Sequence, residues 1–243
     1  MLSVKPWRLE AVMQLMLALL LSLSVGMMMA IMLTKLDVAQ KLGDKNFASF
    51  CVITLVFHLS ALVLISFFLR QHQVTWSEAF GFWRRDRLRA VALAILLAVV
   101  ILPVAWILGE LSVRVLTVLN IKYEVQQPVQ TLKAMVSWGQ RAAFGVIAMG
   151  MAPVVEEFVF RGIIYPCVKQ LGYPRIALWG TSLFFALTHF NLMTFVPLTI
   201  LAVALTLLYE ATDTLLAPIV THSLFNAANY YWLLWQQAAV PGN

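Results

Sequence analysis

Charged residues are sparse and leave long uncharged runs at 11–33, 47–69, 90–109, 142–155, 176–209 and 214–240. Together these runs cover more than half of the 243 residues. A helix needs about 20 apolar residues to cross a hydrocarbon core about 30 Å thick, and five of the six runs reach that length. The run 176–209 would form a helix about 51 Å long at 1.5 Å per residue, so it must break, and the break is expected near Phe190 and Asn191. Gly172 to Pro174 is expected to separate two antiparallel helices, and Glu210 to Thr214 to form a polar turn before a last helix through Trp235. The pattern predicts an all-α, polytopic transmembrane helical bundle of seven helices, or eight if 110–137 also enters the bilayer. The alternating segments of about ten residues that mark a transmembrane β-barrel are absent.

Composition narrows the class further. At 62% apolar and 12% charged, with a mean hydropathy of +0.86, the chain lies outside the range of soluble domains. The run 11–33 exceeds the h-region of a signal peptide and no clear small-residue cleavage site follows it, so it reads as a retained helix. The net charge of +6 fits membrane orientation rather than nucleic acid, because Arg84, Arg85, Arg87 and Arg89 have no interleaved stacking aromatics. With Arg70, Lys5 and Arg8, this cluster places the N-terminus in the cytoplasm. Lys35, Lys41 and Lys45 fall on the opposite side, partly balanced by Asp37 and Asp44. Pro103 is expected to kink its helix. Residues 110–141 carry Glu110, Arg114, Lys122, Glu124, Lys133 and Arg141 among apolar residues, as a helix extension and interfacial stretch would. The chain divides into N-terminal helices with an interfacial segment, 1–141, and a helical core, 142–243. Cys51 and Cys167 lie in different apolar segments and read as buried thiols.

The informative residues are those that lipid disfavours. A charge at mid-bilayer costs roughly 2.5 to 3.5 kcal/mol on insertion scales and calls for a partner or a function. Glu157 and Arg161 are spaced i,i+4 and can pair; Glu156 is turned about 100° from them. Glu156 and His189 stand equally far from the 172–174 turn, at about 25 Å, so they can share one level. His222 and Asn226 share a face of the last helix at a nearby level. His58 has no polar company and reads as an interhelical hydrogen-bonding residue.

Glu156-Glu157-x-x-x-Arg161, Phe185-x-x-x-His189 and His222-x-x-x-Asn226 resemble, in order, the three motifs of the CPBP intramembrane proteases, which include the type II CAAX prenyl endopeptidases and bacterial Abi proteins. The resemblance covers about 142–235. Two chemistries fit these residues. In one, Glu156 takes a proton from a water attacking a peptide carbonyl, His189 orients the water or protonates the leaving amine, and His222 and Asn226 donate to the oxyanion. In the other, Glu156, His189 and His222 bind a catalytic zinc. The resemblance implies the first, with no metal and no cofactor. Cys167, Ser182 and Ser223 are poorer nucleophile candidates. Glu157 and Arg161 are expected to support the helix, although Arg161 has the chemistry to bind a substrate carboxylate or backbone. Phe185 is expected to wall the pocket. The expected partners are the bilayer and a membrane-associated peptide or protein substrate, with no nucleic acid; prenylated substrates are not expected of a chain resembling prokaryotic members. A non-catalytic scaffold or bacteriocin-immunity protein is the rival reading. Transport is opposed by the near absence of polar groups in the first three helices.

Overall fold

The computed structural model describes residues 2–35, 45–82 and 86–239, and these contain helices and no strands. Asp37, Lys41, Asp44, Arg84 and Arg85 lie outside the described residues. Helices α1 (Leu9–Lys35) and α2 (Lys45–Gln71) pack along each other. Ala11, Leu15, Leu19, Gly26 and Ala30 form the buried stripe of α1. A Cβ on Gly26 would lie 3.3 Å from the Ile53 backbone, so the missing side chain sets how closely this pair approaches.

A short helix, α3 (Trp76–Phe80), follows; the Thr75 hydroxyl accepts the Glu78 N–H while Glu78 accepts from the Thr75 backbone. The Glu78 carboxyl is held below its ordinary range first by the Thr75 hydroxyl, which donates to its Oε2 at 2.7 Å, and then by the Thr75 backbone N–H. Helix α4 (Arg87–Val118) buries Ala90, Ala94, Ala98, Ile101 and Ala105 and lies against α8 (Leu192–Thr212) and α9 (Leu216–Ala239). Its other face presents Ile95, Leu96, Val99, Val100 and Ile107 outward, the arrangement that lipid permits and water penalises. Pro103 lies inside α4. The amphipathic α5 (Gln127–Ala134) buries Thr131 and Leu132. Then come α6 (Trp138–Gln170) and α7 (Pro174–Leu187), joined at Gly172, whose φ of 93° suits glycine.

Five helices, α1, α2, α4, α6 and α8, are long and apolar enough to cross a membrane. The expected seven also include α7 and α9. With 14 residues, α7 is about 21 Å long, and the 24-residue α9 is long enough but carries the polar residues of the site. An eighth span over 110–137 does not form: its first part extends α4 to Val118, and α5 has only eight residues, about 12 Å. The break in the run 176–209 falls where chain length requires it. Helix α7 ends at Leu187, Phe190 turns left-handed at φ 47°, and the Asn191 side chain accepts the Thr194 N–H to cap α8. Two boundaries differ from expectation. Helix α8 continues to Thr212 because the reversal is made at Asp213 alone, at φ 49°, and α9 runs on to Ala239.

Candidate active site

The antiparallel register of α6 and α7 brings the motif residues together. Phe160 and Phe185, equidistant from the 172–174 turn, meet with ring centroids 5.1 Å apart. Arg161 and His222 approach the Phe185 ring at 4.6 and 5.8 Å, and His189 lies 4.9 Å from it. Phe185 is therefore the shared wall of the cluster, and its burial at 1% exposure means that this packing is complete.

Glu157 is the centre of the polar network. Its Oε1 accepts from Arg161 Nη1 at 2.8 Å and from His222 Nδ1 at 2.8 Å. Arg161 Nη2 donates to the Ala202 carbonyl at 3.2 Å, tying α6 to α8. These three side chains are 0, 2 and 4% exposed, so every bond is made without competing water. Glu156 differs from its neighbour. Its side chain is 25% exposed, and its Oε2 lies 3.8 Å from His222 Nε2. One helix thus presents two adjacent carboxylates in different states: Glu157 is fully buried, with Oε1 holding both donors and Oε2 without a partner, and Glu156 is partly open.

Both histidines are anchored through Nδ1. His189 bonds to the Phe185 carbonyl at 2.8 Å and His222 to Glu157 at 2.8 Å, so the anchored nitrogen is Nδ1 in both rings and Nε2 is left out of these bonds. Asn226 Nδ2 donates to the Ala148 carbonyl at 2.9 Å, and that acceptor fixes which end of the amide carries its two N–H groups.

Helix α6 departs from regular α geometry on both sides of the glutamates, with π segments at Ile147–Met151 and Phe158–Ile164. Each lies just before a proline, Pro153 or Pro166, which cannot donate a backbone hydrogen bond. Each also has a carbonyl bonded to a side chain from far away in sequence: Ala148 to Asn226, and Gly162 to the indole N–H of Trp7 at 2.9 Å. Gly162 is further required because a Cβ there would lie 2.6 Å from Phe80.

Several expectations change in detail. Glu157 pairs with Arg161 as its spacing indicated and additionally holds His222. Among the described residues no hydrogen bond or ion pair joins His189 to Glu156; they are linked through Phe185 and His222. Among the described residues His58 makes no interhelical bond: its Nδ1 meets the Thr54 carbonyl of its own helix at 2.7 Å, and Nε2 is buried without a partner. Cys167 is buried but Cys51 is only partly so. No three His, Cys, Asp or Glu side chains among the described residues are grouped as metal ligands. The parts that the sequence reading missed are backbone carbonyls, Ala148 and Ala202, and the Trp7 contact. The prolines at 153 and 166 were the only signal for two of them.

Residues 138–228 match the model of the Rce1-like family, type II CAAX prenyl endopeptidase Rce1-like. The match runs from the start of α6 past Asn226 and contains all three motifs, in agreement with the resemblance they carry. No curated protein and no solved structure matches the chain. Together with the five apolar helices, the match identifies an integral membrane protein.

Proposed function

We propose that this protein is an intramembrane endopeptidase that hydrolyses a peptide bond of a membrane-associated peptide or protein through a water activated at Glu156. The observation that carries this reading is the contrast between the two glutamates. Glu157 is fully buried, with Oε1 taken by Arg161 and His222, whereas Glu156 keeps an accessible carboxylate beside an imidazole. A general base needs a free lone pair and access to water, and of the two glutamates only Glu156 offers both.

The roles of the other groups follow from their hydrogen bonds. His189, held through Nδ1, offers Nε2 to orient the water or to pass a proton to the leaving amine. His222 is fixed by Glu157 so that Nε2, when protonated, donates toward the developing oxyanion. Asn226 spends one N–H on Ala148 and retains the second as another donor. One well-placed donor of this kind lowers the barrier by about 3 to 4 kcal/mol. Glu157 and Arg161 act through His222 as supports, and Phe185 walls the site. The Rce1-like match supports the protease class, and the mechanism needs neither metal nor cofactor. Lys5, Arg8, Arg70, Arg87 and Arg89 support a cytoplasmic N-terminus.

The test compares membranes of cells carrying the wild type with membranes carrying Glu156→Gln, quantifying new peptide N-termini by mass spectrometry. Termini lost in the variant are expected and supply the cleavage sequences. Coincident profiles, with a deletion phenotype rescued by the variant, would replace the protease with a non-catalytic scaffold.

A further inference from the structure

Asn226 reaches the site from α9, yet what holds it is a carbonyl of α6 that the helix itself does not use. In the first π segment the Ala152 N–H bonds to the Ile147 carbonyl, an i→i−5 step. The next step in that register would bring residue 153 to the Ala148 carbonyl. Residue 153 is proline and has no N–H to bring. The acceptor so vacated is the one that Asn226 Nδ2 occupies at 2.9 Å. In the second π segment the Tyr165 N–H bonds to the Phe160 carbonyl, so the same step would bring Pro166 to the Arg161 carbonyl and not to the Gly162 carbonyl that Trp7 holds. The vacated carbonyl at Ala148 is filled by a side chain that belongs to the proposed oxyanion site.

We propose that Pro153 is a positioning residue: by withholding a backbone N–H it reserves the Ala148 carbonyl for Asn226 and so sets the direction of the second amide N–H. This rests on the proteolytic reading above. An alanine at 153 would restore the competing donor, close the helical ladder and release Asn226, while the helix itself would gain regularity. Stability and turnover should therefore move in opposite directions, which loss of a merely structural proline would not produce.

The experiment uses the full-length protein in detergent micelles, with peptides bearing the cleavage sequences found by N-terminal profiling of wild-type and Glu156→Gln membranes. Pro153→Ala is expected to melt at or above the wild type, to lose roughly tenfold or more in kcat, and to keep its KM. The loss should vanish when Pro153→Ala is placed in an Asn226→Ala background, because the group being positioned is gone. An ester at position 153, introduced with lactic acid, the α-hydroxy analogue of alanine, has alanine's side chain and no N–H; it is expected to keep wild-type kcat. Wild-type turnover in Pro153→Ala, or an equal loss with and without Asn226, overturns the inference while the protease reading stands. Should Pro153→Ala fail to fold, the ester variant decides alone, and a loss of kcat as large as that of Asn226→Ala overturns it. Identical N-terminal profiles for wild type and Glu156→Gln would remove the protease reading and this inference with it.

Discussion

The hairpin α1–α2 and the core α6–α9 are built from similar apolar residues but use their few polar groups differently. In the hairpin, polar side chains fold back on their own helix: Ser22 on Leu19, Ser24 on Leu20, Ser66 on Leu62 and His58 on Thr54. Such bonds satisfy a donor without specifying a neighbour, and the pair is aligned by close packing at Gly26. In the core some polar groups also fold back, Thr181, Ser182 and Thr206 among them, but others cross between helices, from Arg161 to Ala202, from His222 to Glu157, from Asn226 to Ala148 and from Thr221 to the Ala94 carbonyl of α4. Where lipid is as apolar as leucine, sorting of helices by hydrophobicity is weak and directional bonds fix relative height and rotation. The hairpin therefore tolerates slippage that the core does not.

Substitutions that break interhelical bonds should cost far more than those that break intrahelical ones. The largest effect is expected from Arg161→Ala, which strips one donor from a fully buried carboxylate and should cost about 3 to 5 kcal/mol. Denaturation in detergent measures it, and a loss below 1 kcal/mol would deny Glu157 its central place. Glu156→Gln is expected to melt as the wild type does while turnover falls by at least about a thousandfold, near 4 kcal/mol of barrier. Single-turnover cleavage checks this, and residual activity within tenfold of wild type would reassign the base. Asn226→Ala should reduce kcat by about 100-fold with little change in KM; a raised KM at constant kcat would make it a binding residue. His58→Phe, within the hairpin, should alter stability by less than about 1 kcal/mol and leave cleavage unchanged. A large effect of that substitution on turnover would erase the contrast between the two regions.

Much of this architecture was legible as spacing. The excess length of the run 176–209 located the break at Phe190 and Asn191, the 172–174 turn set the register that pairs Phe160 with Phe185, and i,i+4 spacing gave Glu157 to Arg161. What spacing could not reveal was rotation. Each π segment inserts an extra residue into a turn of α6, and this changes which faces the residues on either side present, so a constant 100° per residue misassigns neighbours. Spacing therefore gave Glu157 only one of its partners and left Asn226 without any. Prolines 153 and 166 marked the places, but a proline within an apolar run reads equally as a kink, as Pro103 did, and its consequence depends on a donor that arrives from another helix. Helix α4 continued past the uncharged run because Glu110 and Arg114 form an exposed pair at 3.1 Å, which a helix leaving the bilayer accommodates easily.

The bond from Trp7 to Gly162 spans 155 positions of sequence, and the one from Glu157 to His222 spans 65. During synthesis, then, the chain inserts most of its helices before the proposed site is complete. Glu156 reaches the membrane without its imidazole partner, and the amide that completes the set arrives in the last helix. On the proposed reading, a stalled or truncated nascent chain that stops short of α9 would carry the glutamate pair without His222 and Asn226, and biogenesis itself would withhold peptide-cleaving capacity from incomplete copies. On that reading, loss of α9 would abolish cleavage however well the remaining helices insert.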